Sequence, residues 1–123
     1  MKGFTLVEVL IAIAIFSIGF LAIAAMQITS VNGNSSARRV TEATLLAETQ
    51  LERLMELPYD HNELDPGLNP HQVTQNPYTI TWNIAETDLD ADGTNDSKTV
   101  NISVNWHYRQ NRNVTLMHIV PEL

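Results

Sequence analysis

Val9 to Met26 reads VLIAIAIFSIGFLAIAAM, 18 residues without a charge. Crossing the hydrocarbon core of a bilayer takes about 20 apolar residues in helical form, with a floor of about 17. Phe4, Leu6 and Val7 lengthen the run on its near side. A helix that is apolar all round needs either a large protein or lipid about it. Only 66 residues follow Leu57, too few to wrap it, so a membrane is the better solvent. A cleavable secretory signal is the rival, with a charged start, a shorter apolar run and a small-x-small cut site. Past Met26, however, the chain reads QITSVNGNSSARRV, which keeps helical character. The membrane segment, residues 4–26, is therefore expected to be retained.

Outside this stretch the composition divides the chain. Residues 1–57 carry four basic and five acidic side chains, a net of −1, whereas residues 58–123 carry three and nine, a net of −6. All five prolines also lie from Pro58 onward. The total of −7 opposes nucleic-acid binding, which needs a basic footprint against phosphate. There is no cysteine, which excludes disulfides, thiolate chemistry and Cys-based metal centres.

Glu8 is the anomaly of the apolar segment. A carboxylate there is costly unless it is paired or reaches the interface. It either snorkels to the headgroups beside the positive end of the helix dipole, or it has a partner. The run Lys2-Gly3-Phe4-Thr5-Leu6-Val7-Glu8 followed by Val9-Leu10-Ile11-Ala12 resembles the N-terminus of type IV prepilins and pseudopilins. The resemblance implies that a prepilin peptidase cuts between Gly3 and Phe4 and methylates the new amino group of Phe4, residues 1–3 being the leader. It also gives Glu8, fifth after the cut, a role in assembly, neutralising the amine of a neighbouring subunit. Both charges would otherwise be isolated in an apolar filament core. The leader departs from the family pattern in its shortness and its single basic residue, Lys2.

After Met26 the pattern becomes amphipathic. Val40, Thr44, Ala47, Leu51 and Leu54 recur at helical spacing. Arg38 and Glu42 form an i,i+4 pair. Pro58 pushes Leu57 out of the helical region. A helix from Thr5 to Leu57, its amphipathic part being residues 27–57, would be about 80 Å long at about 1.5 Å per residue. Ser17, Gly19 and Asn32-Gly33-Asn34 are its weak points, open to a bend or local melting, or in the case of Gly19 to close helix packing. Glu48, Glu52 and Glu56 make an acidic row, either a solvated face or a contact face for basic groups of a neighbouring subunit.

The second part, residues 58–123, reads as a small β head. Tyr59 to Pro77 has the composition of turns, and His61 and His71 within it read as surface groups. Tyr78–Ile84 and Val100–Trp106 alternate with period 2, and Val114–Val120 is shorter and mixed. His107–Asn113 reads as a polar hairpin turn, and the apolar sheet face is expected on the helix stripe. His107 and His118 read as surface or strand-edge groups. The fold class is α+β: a long N-terminal helix, membrane-spanning in its first half, whose second half packs on a small antiparallel sheet in the pilin manner.

Between the first two strands lies the acidic loop 88–96. Asp88, Asp90 and Asp92 with Gly93 follow the spacing of the first half of an EF-hand loop, with the Thr94 carbonyl and Asp96 at positions 7 and 9. Position 12 is Thr99 where an EF-hand needs Glu, and the flanks are strands. A Ca²⁺ loop on a β scaffold is the expectation, because clustered carboxylates repel without a cation and a small head gains from a metal staple. A charged hairpin tip is the alternative.

There is no Gly-rich phosphate loop, no Ser/His/Asp arrangement and no HExxH, so a non-enzyme is expected. The run Phe16–Ala22 with Ala25-Met26-Gln27, and the strands of Trp82 and Trp106, resemble PilV-type minor pilins, the pilus modification proteins. That resemblance implies an inner-membrane protein with its head outside the cytoplasm, which then joins a surface fibre. Its partners would be the peptidase and other pilin subunits, with no nucleic acid. A minor pseudopilin of a type II secretion system and a competence pilin are the alternatives; a head charge of −6 opposes DNA contact.

Overall fold

The computed structural model describes residues 3–122. Met1 and Lys2 of the expected leader and Leu123 of the head lie outside the described residues. The elements are helix α1 (Leu6–Met55), two short 3₁₀ turns (Asn62–Leu64 and Pro66–Leu68), and strands β1 (His71–Gln75), β2 (Tyr78–Thr87), β3 (Ser97–Tyr108) and β4 (Gln110–Pro121). The chain divides into two compact units between Ala37 and Arg38.

In the first unit α1 is unbroken through every expected weak point. The Ser17 hydroxyl donates to the Ile13 carbonyl at 2.7 Å, and the Thr29 hydroxyl to that of Ala25 at 3.1 Å. Bonding back to i−4 hides each hydroxyl inside the helix's own ladder. No side chain from Leu6 to Ala37 is buried. Among the described residues α1 is the one helix long and apolar enough to cross a membrane.

In the second unit the helical stripe keeps Ala47 and Leu54 of the expected one and replaces its other members. Ala43, Ala47, Gln50 and Leu54 are buried, while Val40 is 38% exposed. The spacing of 4, 3 and 4 is kept, but the small Ala43 and Ala47 mark the line of closest approach. Against them the sheet sets Tyr78, Ile80, Trp82 and Ile84 from β2 and Val100, Ile102, Val104 and Trp106 from β3, all buried in one core. The helix ends at Met55, two residues before the expected Leu57. There the Leu57 N–H bonds to Leu54 O at 3.2 Å, a tightened last turn ahead of Pro58.

The sheet order is β1-β2-β3-β4, and all three pairings are antiparallel. β1 is a strand the composition concealed: HQVTQ holds one aliphatic residue, Val73, and lies on an edge. The expected turn over His107–Asn113 is much tighter. Tyr108 pairs with Gln110, and Arg109 turns the chain at φ 58°.

Candidate functional site

Gly3, Phe4 and Thr5 precede the helix and have no regular structure. Phe4 is 89% exposed, and a Cβ at Gly3 would meet nothing within 4 Å. The Gly3–Phe4 bond is thus presented in an open segment directly before a helix. Thr5 and Glu8 start that helix together. The Glu8 N–H donates to Thr5 Oγ1 at 3.2 Å, while Glu8 Oε2 accepts from the Thr5 N–H at 2.9 Å and from its hydroxyl at 3.2 Å. This is a capping box, in which two otherwise unpartnered backbone donors are satisfied reciprocally. It was readable as Thr-x-x-Glu before an apolar run. It gives Glu8 an intramolecular partner that the sequence reading did not assign. Phe4, Glu8, Ala12, Ile13 and Phe16 also border an apolar groove along one side of α1.

Residues 1–24 match the family model of the prokaryotic N-terminal methylation motif. This N-terminus is that of a type IV pilin-like prepilin. The α+β architecture is pilin-like as well. No curated protein and no solved structure matches the chain. The pilin-type motif covers the open segment, the capping box and most of the apolar run, and it stops short of the head.

The second group of interest lies in the head, between β2 and β3. Carboxylate oxygens of Asp88, Asp90 and Asp96 lie within 4.8 Å of one another. Asp92 is not part of this group. Its Oδ1 accepts from the Thr94 hydroxyl at 2.6 Å and the Thr94 N–H at 2.8 Å, and these bonds hold its pKa below the usual carboxylate value. Asp88 accepts from the Gly93 N–H at 2.9 Å and the Ala91 N–H at 2.7 Å, which likewise lowers its pKa. The loop turns through Ala91 at φ 61° and Gly93 at φ 92°, and a glycine takes the latter without strain.

Several polar groups fix the head. Lys98 is only 5% exposed; its Nζ donates to the Tyr59 carbonyl at 2.7 Å, lies 3.8 Å from Glu86 and sits 4.2 Å over the Tyr59 ring. Burial, then the acids Glu122 and Glu86, raise the pKa of Tyr59. The Tyr78 hydroxyl donates to Glu42 at 2.7 Å. That bond, with Arg38 next, lowers the pKa of Glu42.

Three of the four histidines make structural contacts. His71 stacks on Trp82 at 5.4 Å, His61 Nδ1 accepts from the Glu63 N–H at 3.2 Å, and His107 Nδ1 bonds to Asn111 Oδ1 at 2.8 Å. Glu48 and Glu52 are exposed on α1, and Glu56 is exposed just past its end.

Proposed function

We propose that this is a minor type IV pilin, most like the PilV type. In this reading a prepilin peptidase frees and methylates Phe4, and the chain passes from the inner membrane, head outside the cytoplasm, into a pilus fibre. The methylation motif at residues 1–24 carries the reading, supported by an apolar helix with no buried side chain from Leu6 to Ala37. Such a surface needs lipid or neighbouring helices around it. Glu8 then has two states. In the membrane its carboxylate serves its own helix start, and in the fibre it also meets the amine of a neighbour's Phe4. The role is structural, with other subunits as partners through helix packing. Intact mass of the membrane-extracted chain tests the processing: loss of Met1-Lys2-Gly3 and gain of one methyl group are expected. A chain still carrying Met1, or cut after Ala25, refutes it. Glu8→Ala tests the assembly role. The membrane level should stay unchanged, since the helix becomes more apolar, while the amount in sheared fibres falls at least tenfold. Equal amounts in fibres would remove Glu8 from assembly.

A second proposal concerns Ca²⁺, favoured by the convergence of Asp88, Asp90 and Asp96. A cation among them would offset their repulsion and raise head stability by mass action. The full chain in detergent should melt higher in Ca²⁺ than in EDTA, with Mg²⁺ a poor substitute because of its strict octahedral demand. Asp88→Asn together with Asp90→Asn should abolish the difference. Equal melting in Ca²⁺ and EDTA leaves the loop a charged hairpin tip.

A further inference from the structure

Within the second unit a cleft of about 570 Å³ lies between the last turns of α1 and strand β1, inside the range of small-molecule sites, about 300–1,000 Å³. Thr49, Gln50 and Arg53 form its helix side, and Gln72, Val73 and Gln75 its strand side. His71 and Trp82, stacked with an interplanar angle of 9°, give it an aromatic wall. Its charges cancel. Arg53 is the one cation of the lining and Glu63 the one carboxylate, and the Arg53 Nη1 and Nη2 both donate to Glu63.

Two groups of opposite kind are left over. Arg53 Nε meets the Gln50 amide at 3.3 Å. That nitrogen can only donate, so the atom it meets is the carbonyl oxygen, and the amide NH₂ lies on the other side. The NH₂ is buried without a partner, and Gln50 as a whole is only 7% exposed. An unmade bond at a buried donor is costly. The terminal torsion of a glutamine is soft, so the N–H groups can turn into the cleft at little cost. On the aromatic wall, His71 Nε2 lies 3.0 Å from the Asp65 carbonyl. A carbonyl only accepts, so Nε2 carries the proton, and Nδ1 of the neutral ring is an acceptor. Among the described residues nothing donates to it.

The strand contributes little backbone. One pair beyond His71↔Trp82, the side chain of Asn69 takes the place of a strand residue. Its Nδ2 donates to Ile84 O at 2.7 Å and its Oδ1 accepts from the Ile84 N–H at 2.9 Å. Ile84 thus turns both backbone groups toward β1, and successive residues of an antiparallel strand face alternate sides. His71, Val73 and Gln75 therefore bond inward to β2, and β1 leaves open only the backbone of Gln72 and Thr74.

We propose that this cleft binds a neutral sugar, one hexose unit of a glycan chain. A lining with no spare charge selects against ionic ligands, and the net of −6 over residues 58–123 disfavours anions further. An extended peptide would find two residues of open backbone, a short hold for an added strand. A hydroxyl both donates and accepts, which meets the two leftovers together: sugar hydroxyls accept from Gln50 Nε2 and donate to His71 Nδ1. The exposed amides of Gln72 and Gln75 and the Thr49 hydroxyl offer further donors and acceptors at the rim. The C–H face of the sugar ring rests on the half-buried His71, which Trp82 backs.

The test is NMR on the isotope-labelled full chain in a detergent without a sugar head group. The probes are the methyl glycosides of glucose, galactose, mannose, N-acetylglucosamine and N-acetylgalactosamine, each titrated to high millimolar concentration. At least one should saturably shift the Gln50 side-chain amide and the His71 ring nitrogens. Gln50→Met keeps the bulk of the helix side and removes the donor. It should weaken binding at least tenfold, while the free chain melts no lower. His71→Phe keeps a ring on Trp82 and loses the acceptor, and should weaken binding to a similar degree. The map of shifts in the native chain decides the matter even where a variant does not fold. No saturable shift with any glycoside, shifts centred away from Gln50 and His71, or undiminished binding by both variants overturns the proposal. So does tighter binding of glucuronate or of N-acetylated trialanine amide, because the cleft would then read an acid or a backbone.

Discussion

Residues 6–37 and 38–55 of α1 share one backbone conformation and have opposite fates for their apolar side chains. In the first stretch Phe16 is 72% exposed, and no side chain is buried. In the second, Ala43, Ala47 and Leu54 are shut into a core with the sheet. Most helical stability in proteins comes from packing rather than propensity. The same helix is therefore held in two ways: by its own sheet after Arg38, and by whatever apolar medium surrounds it before. Large side chains are distributed accordingly. The first stretch keeps Phe and Ile outward for lipid or other helices, and the second puts alanine where a sheet must come close.

Matched substitutions in the two stretches test this contrast. The largest effect is expected from Trp82→Ala, which empties the centre of the head core and should cost about 3–5 kcal/mol. Phe16→Ala, of comparable apolar loss, should leave the thermal melting of the detergent-solubilised head unchanged. Similar losses from both would mean that the halves are stabilised together. Next comes Ala47→Leu, where overpacking should cost about 1–3 kcal/mol. Ala25→Leu should be silent in circular dichroism melts. A tolerated Ala47→Leu would place the closest helix–sheet approach elsewhere.

A smaller effect, of opposite sign, is expected at Tyr59. Its hydroxyl is buried without a partner, so Tyr59→Phe should stabilise the head by about 1 kcal/mol while keeping the ring under Lys98. The pH dependence follows the same residue. Its folded pKa lies above the ordinary value of 10.0, so the neutral form is favoured in the fold. That contribution is present below pH 10 and is lost as pH rises through the folded value. Tyr59→Phe should flatten this alkaline loss in melts taken across that range. The smallest expected effect is in the acidic loop. Asp88 and Asp92 have pKa values depressed from 3.8. Their contribution is therefore present above that value and is lost only as pH falls through the lower folded values. NMR of the Gly93 and Thr94 amides should show the loop loosening there, with the apolar segment indifferent.

The elements that repeat a strong pattern were legible in the sequence. The apolar run and the amphipathic continuation placed α1 within one residue at its start and two at its end, and period 2 located the cores of β2 and β3. The misses have separate physical causes. β1 carries one aliphatic side chain and none of its residues is buried, so alternation had nothing to mark. Of the helical stripe, Ala47 and Leu54 were read correctly and Ala43 and Gln50 were missed, because large residues weigh most in a hydrophobic pattern, whereas close packing admits a small residue at 43. Asn32-Gly33-Asn34 stayed helical, since neither asparagine nor glycine breaks a helix unless an alternative conformation is favoured. At the candidate site, Glu8 stood out as a lone charge in an apolar run, whereas the Gly3–Phe4 bond was marked only by the resemblance of residues 2–12 to prepilins. The Thr5 half of the capping box was equally readable and was masked by the attention Glu8 drew as a lone charge. Asp92 shared the spacing of the other loop carboxylates, but only folded geometry shows that Thr94 claims it.

The Asn69 amide that stands in for a strand residue opposite Ile84 bears on valence. A sheet open at both margins can stack without limit, as ribbons and fibrils do. Here one margin ends in a short segment set between prolines, with a side chain filling its last rung. Copies of the head therefore cannot stack through both margins alike: the β1 side offers a five-residue strand whose next place opposite Ile84 is already taken by the Asn69 side chain, so the sheet is unsuited to repeat itself as a ribbon.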